Sequence, residues 1–133
     1  MPEDLVKAAL DARLKAVAPY SNFKVGAALL TRDGKVYTGC NVENATYGLS
    51  VCAERVALWK ALSEGERAFS RIAVVTDSAR PAAPCGACRQ LLWEFAGDIE
   101  VVLVNLRGLA ETHPLAALFP NAFDKSSLQH SSQ

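Results

Sequence analysis

Residues 71–105 carry the sequence RIAVVTDSARPAAPCGACRQLLWEFAGDIEVVLVN, in which two apolar runs enclose a cysteine-containing segment. The runs Arg71–Thr76 and Glu100–Asn105 are rich in β-branched side chains and lack polar alternation, which is typical of strands covered on both faces. The segment Cys85–Phe95 between them predicts a helix. The turn at residues 106–108 is too short for a crossover, so we expect an antiparallel strand after it.

The rest of the chain predicts further helices and strands around this centre. Proline at position 2 and an apolar face predict an opening helix over Pro2–Val17. An Asp-Gly pair at 33–34 predicts a tight antiparallel hairpin, because such pairs readily adopt positive φ angles. The other predicted elements are the hairpin strands Val25–Thr31 and Val36–Asn41, a helix over Val51–Ser63 and a brief helix over Leu115–Phe119. This alternation of strands and helices predicts an α/β fold, a three-layer α/β/α domain with a mixed five-stranded sheet.

Length and composition limit how the chain is organised. It has 133 residues, of which 50% are hydrophobic, so we expect a single domain over residues 1–133. The polar segment 125–133 is expected to be a flexible tail. The charged N-terminal segment lacks a secretory apolar stretch, so a cytoplasmic location is expected. In that compartment four cysteines are typical of metal ligands or reactive thiols rather than of disulfides.

The balance of charge bears on the possible partners. Fourteen basic and fourteen acidic side chains give a formal net charge of zero. No overall field then attracts nucleic acid or an anionic membrane surface. No apolar run approaches the length of a membrane span. The composition therefore favours a small neutral substrate over nucleic-acid or membrane partners.

Two motifs, CAE at 52–54 and PCGAC at 84–88, point to a metal site. Cys85 and Cys88 are spaced to lie on one face of the predicted helix, where they can bind one ion. Cys52 is expected at the cap of the preceding helix, because only there can both Cys52 and Glu54 reach the same place. Three thiolates with an open fourth position are typical of a catalytic zinc site. The carboxylate of Glu54 then stays free to move protons.

The charge of such a site needs compensation. Three thiolates give a zinc site a net negative charge, which works against ionising a bound water. Two helix N-termini each contribute about half a positive charge near the sulfurs. Arg55, next to Glu54, can donate hydrogen bonds to a cysteine sulfur. The hypothesis is that Arg55 tunes the metal.

Simpler interpretations exist for each of these residues. Cys85 and Cys88 alone are compatible with a thioredoxin-like redox pair, although the surrounding Pro, Gly and Ala are unlike that motif. Cys40 is compatible with the fourth ligand of a structural zinc site in an interaction module, or with a small buried residue. Ordinary turn, core or surface roles also fit four other residues, Asn41, Glu43, Phe23 and Arg55.

Five stretches of the chain carry a family resemblance. They are Ser21-Asn22-Phe23-x-Val25-Gly26-Ala27-Ala28, Gly39-Cys40-Asn41-Val42-Glu43-Asn44-Ala45, Cys52-Ala53-Glu54-Arg55, Cys85-Gly86-Ala87-Cys88-Arg89-Gln90 and Leu118-Phe119-Pro120-Asn121-Ala122-Phe123. Together they resemble the zinc-dependent cytidine deaminase family, in its small homotetrameric form with three cysteine ligands. The last stretch is similar to the family's Leu-Leu-Pro-x-x-Phe segment, with Phe119 in place of the second Leu. The resemblance covers nearly the whole chain.

The resemblance implies a reaction and a cofactor. The reaction is zinc-dependent hydrolysis of cytidine and deoxycytidine to uridine and deoxyuridine, a step of pyrimidine salvage. One zinc per chain would be held by Cys52, Cys85 and Cys88. Glu54 would carry protons from the zinc-activated water to ring N3 and to the leaving amine. A single carboxyl that serves both steps avoids releasing charge into a dry pocket during attack at C4.

The resemblance also assigns the substrate contacts. It implies that Asn41 and Glu43 bind the ribose and that Phe23 stacks on the base. It places Ala45 and Tyr47 in the substrate loop and Phe123 in the base pocket. In the family the last of these often comes from a neighbouring subunit of the homotetramer. Blasticidin-type deaminases share the zinc motif and are an alternative. Polynucleotide editors are disfavoured, because this chain lacks basic stripes with interleaved aromatic residues.

Overall fold

A computed structural model describes residues 2–128 as a five-stranded sheet with helices packed against it. The elements in chain order are α1 (Pro2–Arg13), β1 (Val25–Thr31), β2 (Val36–Cys40), α2 (Ala53–Ser63), β3 (Phe69–Thr76), α3 (Gly86–Ala96), β4 (Glu100–Asn105), β5 (Ala110–Pro114) and α4 (Leu115–Leu118). The strands lie side by side in the order β2-β1-β3-β4-β5. Short 3-10 turns occur at Tyr47–Leu49 and Lys125–Leu128.

The sheet is mixed, as predicted. β1 pairs antiparallel with β2 and β3, and β5 pairs antiparallel with β4. β3 and β4 are parallel, with Thr76 opposite Asn105 at their carboxyl ends. α3 connects these two parallel strands, and the loop from Thr76 to α3 carries Cys85. This loop therefore leaves the carboxyl end of a parallel strand, where open α/β sheets bind their ligands.

Helices cover both faces of the sheet. In β1, Ala27 and Leu29 belong to a core that also contains residues of α2, α3 and α4. Ala28, between them, belongs to a second core to which α1 contributes Leu5 and Ala9. Because successive strand residues point to opposite faces, the two cores lie on opposite sides of the sheet. The predicted three-layer α/β/α arrangement is confirmed.

Glycine allows α2 to pack directly on β2. Gly39 of β2 is buried, and a Cβ atom there would lie 2.3 Å from the carbonyl oxygen of Ala53 and 2.6 Å from the amide nitrogen of Ala57. Both distances are far inside van der Waals contact, so the helix can come this close only over a residue without a side chain. Because Ala53 lies between Cys52 and Glu54, this contact fixes the start of α2 against the sheet.

The first helix is shorter than predicted. It ends at Arg13 rather than at Val17, and the chain then turns. Val17 instead forms a parallel bridge with Val42, in which its N–H donates to the carbonyl of Asn41 at 3.0 Å. In return the N–H of Glu43 donates to the carbonyl of Val17 at 2.8 Å. These bonds between distant segments replace the last helical turn.

The start of α2 also differs from the prediction. Val51 was expected to open the helix, but it pairs with Val42, and its N–H donates to the Val42 carbonyl at 2.9 Å. The helix begins at Ala53, with Cys52 as its N-cap. The strands Val25–Thr31 and Glu100–Asn105 have the predicted bounds, and the remaining elements apart from α1 differ from prediction by one or two residues at one or both ends. Of the predicted tail, Lys125–Leu128 forms a 3-10 turn, and residues 129–133 lie outside the described residues.

Candidate active site

Three cysteine sulfurs converge where the N-termini of α2 and α3 meet. Cys52 is the N-cap of α2 and Cys85 is the N-cap of α3, both in extended backbone conformation. Cys88 lies in the first turn of α3. The three Sγ atoms all lie within 4.8 Å of one another, and the distance from Cys52 to Cys85 is 3.9 Å. The structure thus brings the three predicted ligands together.

The geometry of this cysteine cluster fits zinc. With Zn–S bonds of about 2.3 Å, two sulfurs of a tetrahedral site lie about 3.8 Å apart. Among residues 2–128, the group of potential ligands contains three cysteines and does not include Cys40. A structural site would use four protein ligands, whereas three leave a position for water. The cluster therefore has the ligand count of a catalytic site.

The protonation of the thiols reflects their contacts with one another. The hydrogen bond from Cys88 lowers the pKa of Cys52, and the hydrogen bond to Cys52 together with burial raises the pKa of Cys88. The sulfur of Cys52 also lies at the N-terminus of α2, where the positive end of the helix dipole favours the thiolate. A metal ion, which binds thiolates, would displace the remaining protons.

Glu54 lies beside this cluster in the first turn of α2. The residue is 5% exposed and lines the same cavity as Cys52 and Cys85. Burial raises the pKa of its carboxyl to about 7. A carboxyl with such a pKa can both accept and release a proton near neutral pH, which is what proton transfer in a reaction requires.

Arg55 follows Glu54 and is partly buried. Its Nε is enclosed and has no hydrogen-bond partner among the described residues. Buried donors are almost always paired, so this N–H is a donor that remains available for a hydrogen bond. Hydrogen bonds from Cys88 and Cys85 lower the pKa of Cys52, and the positive charge of Arg55 lowers it further. The side chain therefore acts electrostatically on the cysteine cluster.

Asn41 and Phe23 form another part of the cavity wall. Asn41 is 9% exposed; its Oδ1 accepts from the N–H of Val25 and its Nδ2 donates to the carbonyl of Phe23, both at 2.8 Å. Because a backbone donor faces one side and a backbone acceptor the other, the amide can point in only one direction. One N–H of Nδ2 remains available for a ligand.

Glu43 also lines the cavity, and hydrogen bonds from residues 20 and 21 hold its carboxylate. Its Oε1 accepts from the N–H groups of Tyr20 at 2.9 Å and Ser21 at 3.0 Å, and its Oε2 accepts from Ser21 Oγ. The hydrogen bond from the Ser21 side chain, with the backbone bonds, holds the pKa of Glu43 below its ordinary value. Glu43 is therefore a fixed, ionised acceptor at neutral pH.

A cavity of about 330 Å³ joins these groups. Six of the predicted site residues line it, namely Phe23, Asn41, Glu43, Cys52, Glu54 and Cys85. Its volume lies in the range of small-molecule sites. Within the described chain, no Lys, Arg or His lines this cavity, and its two carboxylates are those of Glu43 and Glu54. The site is suited to a small ligand without negative charge.

Comparison with known proteins agrees with this arrangement. The family model described as "Cytidine and deoxycytidylate deaminase zinc-binding region" matches residues 1–105. The chain belongs to this family. The predicted family and its zinc cofactor are thereby confirmed.

Relatives in this family are similar over nearly their whole length. The chain is 48% identical to "Cytidine deaminase" of Sporosarcina psychrophila, over 98% of this chain and 97% of that one. It is 53% identical to "Cytidine deaminase" of Halalkalibacterium halodurans, over 90% and 91%. The crystal structure of cytidine deaminase from Burkholderia pseudomallei superposes with a TM-score of 0.90 at 55% identity, covering 92% and 99%. The family fold therefore extends over most of the chain.

Three residues that the resemblance assigned to the substrate do not line the main cavity of their own chain. Ala45 is exposed, and Tyr47 is 74% exposed and contacts Tyr20 edge-to-face at a centroid distance of 6.0 Å. Phe123 is 60% exposed, and its carbonyl accepts a hydrogen bond from Gln90 Nε2 at 2.9 Å. Within one chain, the structure leaves these side chains at the surface.

Other cavity residues were not predicted. Ser21 lies between Glu43 and Phe23, and Thr76, Ala82 and Ala83 line the cavity from the end of β3 and the loop after it. A serine two residues before the predicted stacking residue is a signal for Ser21, because such a hydroxyl often accepts from the backbone two residues later. The alanines carry no chemical signal in the sequence.

Proposed function

We propose that the protein is a zinc-dependent deaminase of free nucleosides that hydrolyses cytidine and deoxycytidine to uridine, or deoxyuridine, and ammonia. The observation that carries this proposal is the position of the three-cysteine cluster and the buried Glu54 carboxyl at one cavity that no basic side chain of residues 2–128 lines. The family and the close relatives named cytidine deaminase support it.

We assign zinc to Cys52, Cys85 and Cys88. When bound there, zinc supplies a Lewis acid that makes water a stronger nucleophile. Glu54 lies two residues from Cys52 on the cavity wall and carries the protons. It takes one from the attacking water and gives it to ring N3, and it then takes the proton of the new C4 hydroxyl and delivers it to the amine as the C4–N bond breaks and the C4 carbonyl forms. The pKa of about 7 suits a group that must alternate between both forms.

The sugar and the base are assigned to the other wall. Asn41 offers one donor and Glu43 offers a carboxylate acceptor, which together match a ribose hydroxyl, here assigned as the 3′-hydroxyl. Phe23, which is 39% exposed, stacks on the pyrimidine. These contacts orient C4 of the base toward the cysteines and Glu54.

The assay that tests this function follows the loss of cytidine absorbance, with zinc measured on the same sample. We expect conversion to uridine at about one zinc per chain, and loss of activity after zinc is removed by a chelator. Deoxycytidine should also react. Deoxycytidylate should show at least about a hundredfold lower kcat/KM, because its phosphate would lie at the sugar end, beside the Glu43 carboxylate, without a basic side chain in the cavity.

Other outcomes of this assay would contradict the proposal. Turnover of deoxycytidylate in preference to deoxycytidine would indicate a nucleotide enzyme. Turnover of blasticidin but of neither nucleoside would indicate the related antibiotic deaminases. Bound zinc without any turnover would favour a structural zinc module.

We also assign Arg55 to the metal, as the donor of a hydrogen bond to a cysteine sulfur. The unpaired buried Nε supports this assignment. Arg55→Gln should weaken zinc binding by about tenfold in a competition titration with a chromophoric chelator, since loss of outer hydrogen bonds typically costs that much. A matched control is Arg67→Gln at an exposed position. Equal affinities of the two variants would contradict the assignment.

We further propose a homotetramer in which neighbouring subunits complete each site. Large apolar side chains at the surface of the single chain support it, among them Tyr47 at 74%, Leu49 at 71%, Leu14 at 70% and Phe123 at 60% exposure. In this proposal Phe123, Ala45 and Tyr47 contact the base and loop of an adjacent site. Light scattering of the active zinc protein should give the mass of four chains, and a fully active monomer would contradict it.

The proposed location is the cytoplasm. No helix within residues 2–128 is long and apolar enough to cross a membrane. All four cysteines are free, which suits a reducing compartment. Fractionation of cells that produce the protein should place cytidine deaminase activity in the cytoplasmic fraction; activity outside it would contradict the proposal.

A further inference from the structure

Ser21 links three residues of the proposed substrate site. Its hydroxyl donates to Oε2 of Glu43 and accepts from the N–H of Phe23 at 3.0 Å. The carbonyl of Phe23 in turn accepts from Nδ2 of Asn41 at 2.8 Å. The carboxylate and the amide assigned to the sugar are thus joined through the backbone of the residue assigned to the base.

The direction of these hydrogen bonds is fixed by chemistry. An ionised carboxylate has no donor, so the single hydroxyl proton of Ser21 must point at Glu43. The backbone N–H of Phe23 has no acceptor function, so it occupies a lone pair of the same oxygen. The intervening Asn22 has φ of 59°, a left-handed conformation that brings the Phe23 N–H back onto Ser21. Asparagine is among the residues that adopt this conformation at the lowest cost.

The bonds to Glu43 leave one acceptor position free. Its two oxygens offer about four lone-pair sites, and three are used by Tyr20 N–H, Ser21 N–H and Ser21 Oγ. Oε1 is filled by the two backbone donors, so the free position lies on Oε2, beside the hydroxyl of Ser21. A sugar hydroxyl can then donate only to the oxygen whose orientation Ser21 determines.

A purely local role for Ser21 would be the turn itself. Such a turn needs the oxygen of Ser21 only as an acceptor for the Phe23 N–H. The additional bond to Glu43, which lies 22 residues away in the sequence, is not part of any local turn. Ser21 is an exposed residue that also lines the main cavity, so its hydroxyl lies at the mouth of the substrate site.

We propose that Ser21 is a positioning residue, whose hydroxyl fixes Oε2 of Glu43 for the sugar hydroxyl. The inference rests on the proposed function and adds a specificity role to it. Without the hydroxyl, Glu43 keeps its two backbone donors but Oε2 is free to rotate toward solvent. We then expect the contact with the sugar hydroxyl to weaken more than the stability of the folded protein.

The test compares two substrates on the zinc-loaded enzyme. With cytidine, Ser21→Ala should lower kcat/KM by about tenfold, the usual size of one lost hydrogen bond to a charged group. With 3′-deoxycytidine, which lacks the hydroxyl assigned to Glu43, the same substitution should lower kcat/KM less than about twofold. Ser21→Thr, which keeps a hydroxyl, should restore most of the activity on cytidine. A merely structural role would not produce this difference between substrates.

A control variant checks that the effect is specific to Ser21, and three outcomes would contradict the inference. Ser63→Ala makes the same chemical change at an exposed helix end, where Oγ donates to the Lys60 carbonyl, and should leave both substrates unaffected. Equal losses on cytidine and 3′-deoxycytidine, or no loss with Ser21→Ala, would overturn this inference while leaving the proposed function intact. Absence of turnover by the unmodified zinc protein on both substrates would overturn the proposed function and this inference with it.

Discussion

Glu54→Gln is expected to lower kcat for cytidine by about 10⁴-fold while the protein retains about one zinc per chain. Glutamine keeps the size and one oxygen of the side chain but cannot take a proton from water or pass one to ring N3. The expected loss lies at the upper end for general acid–base catalysis because the same carboxyl is assigned to several transfers. Zinc is assigned to the three cysteines and not to Glu54, so the zinc content should not change.

The measurement pairs steady-state kinetics with metal analysis of the same preparations. Glu64→Gln is the matched control, since this exposed glutamate ends α2 and lies outside the cavity. We expect it to retain the activity and zinc content of the unmodified protein. Full activity of Glu54→Gln would show that another group moves the protons. Loss of zinc from Glu54→Gln would show instead that the carboxylate is a ligand.

The central strands were predictable because a strand that is buried on both faces has an uninterrupted apolar sequence. In β3, Ile72 and Val74 enter one core while Ala73 and Val75 enter the other, so these four central positions are all apolar. A run of this kind has few alternatives in a short chain. The strands, their layers and the mixed sheet therefore followed from composition and turn length.

The positions of the cysteines were predictable for a geometric reason. Residues two apart in a regular helix point in different directions, so Cys52 and Glu54 can share a site only if the helix begins between them. The structure has Cys52 as N-cap and Ala53 as the first helical residue. The requirement that Cys52 and Glu54 reach the same site thus predicted the start of α2 correctly. The apolar pattern alone had placed that start at Val51.

The hydrogen bonds around Glu43 could not be predicted in the same way. They depend on the positive φ of Asn22 and on the bridge between Val17 and Val42, both of which arise from tertiary contacts. Ser21 and Glu43 are 22 residues apart in the sequence, so no local pattern predicts their contact. Likewise, the exposed Phe123 has no role that a single chain can reveal. Local patterns report on the interior of the domain better than on its loops and surfaces.

Cys88→Ala is expected to abolish zinc binding and with it both activity and a large part of the stability. Cys88 is 1% exposed and is the proposed ligand that lies inside α3 rather than at its cap. Two remaining thiolates hold zinc far more weakly than three, and binding to the folded protein is itself a source of stability. We expect less than about 0.1 zinc per chain and no measurable turnover of cytidine.

A melting experiment with and without chelator separates the lost metal from the lost side chain. The unmodified protein should lose melting temperature when zinc is removed, whereas Cys88→Ala should melt at the same low temperature in both conditions. Cys40→Ala is the matched control, because Cys40 lies at the end of β2 outside the cysteine cluster. It should keep its zinc and its response to chelator, with only the small cost of a partly buried sulfur, about 1 kcal/mol. If Cys40→Ala also lost zinc, the site would use four cysteines, and with no position left for water it would be structural rather than catalytic.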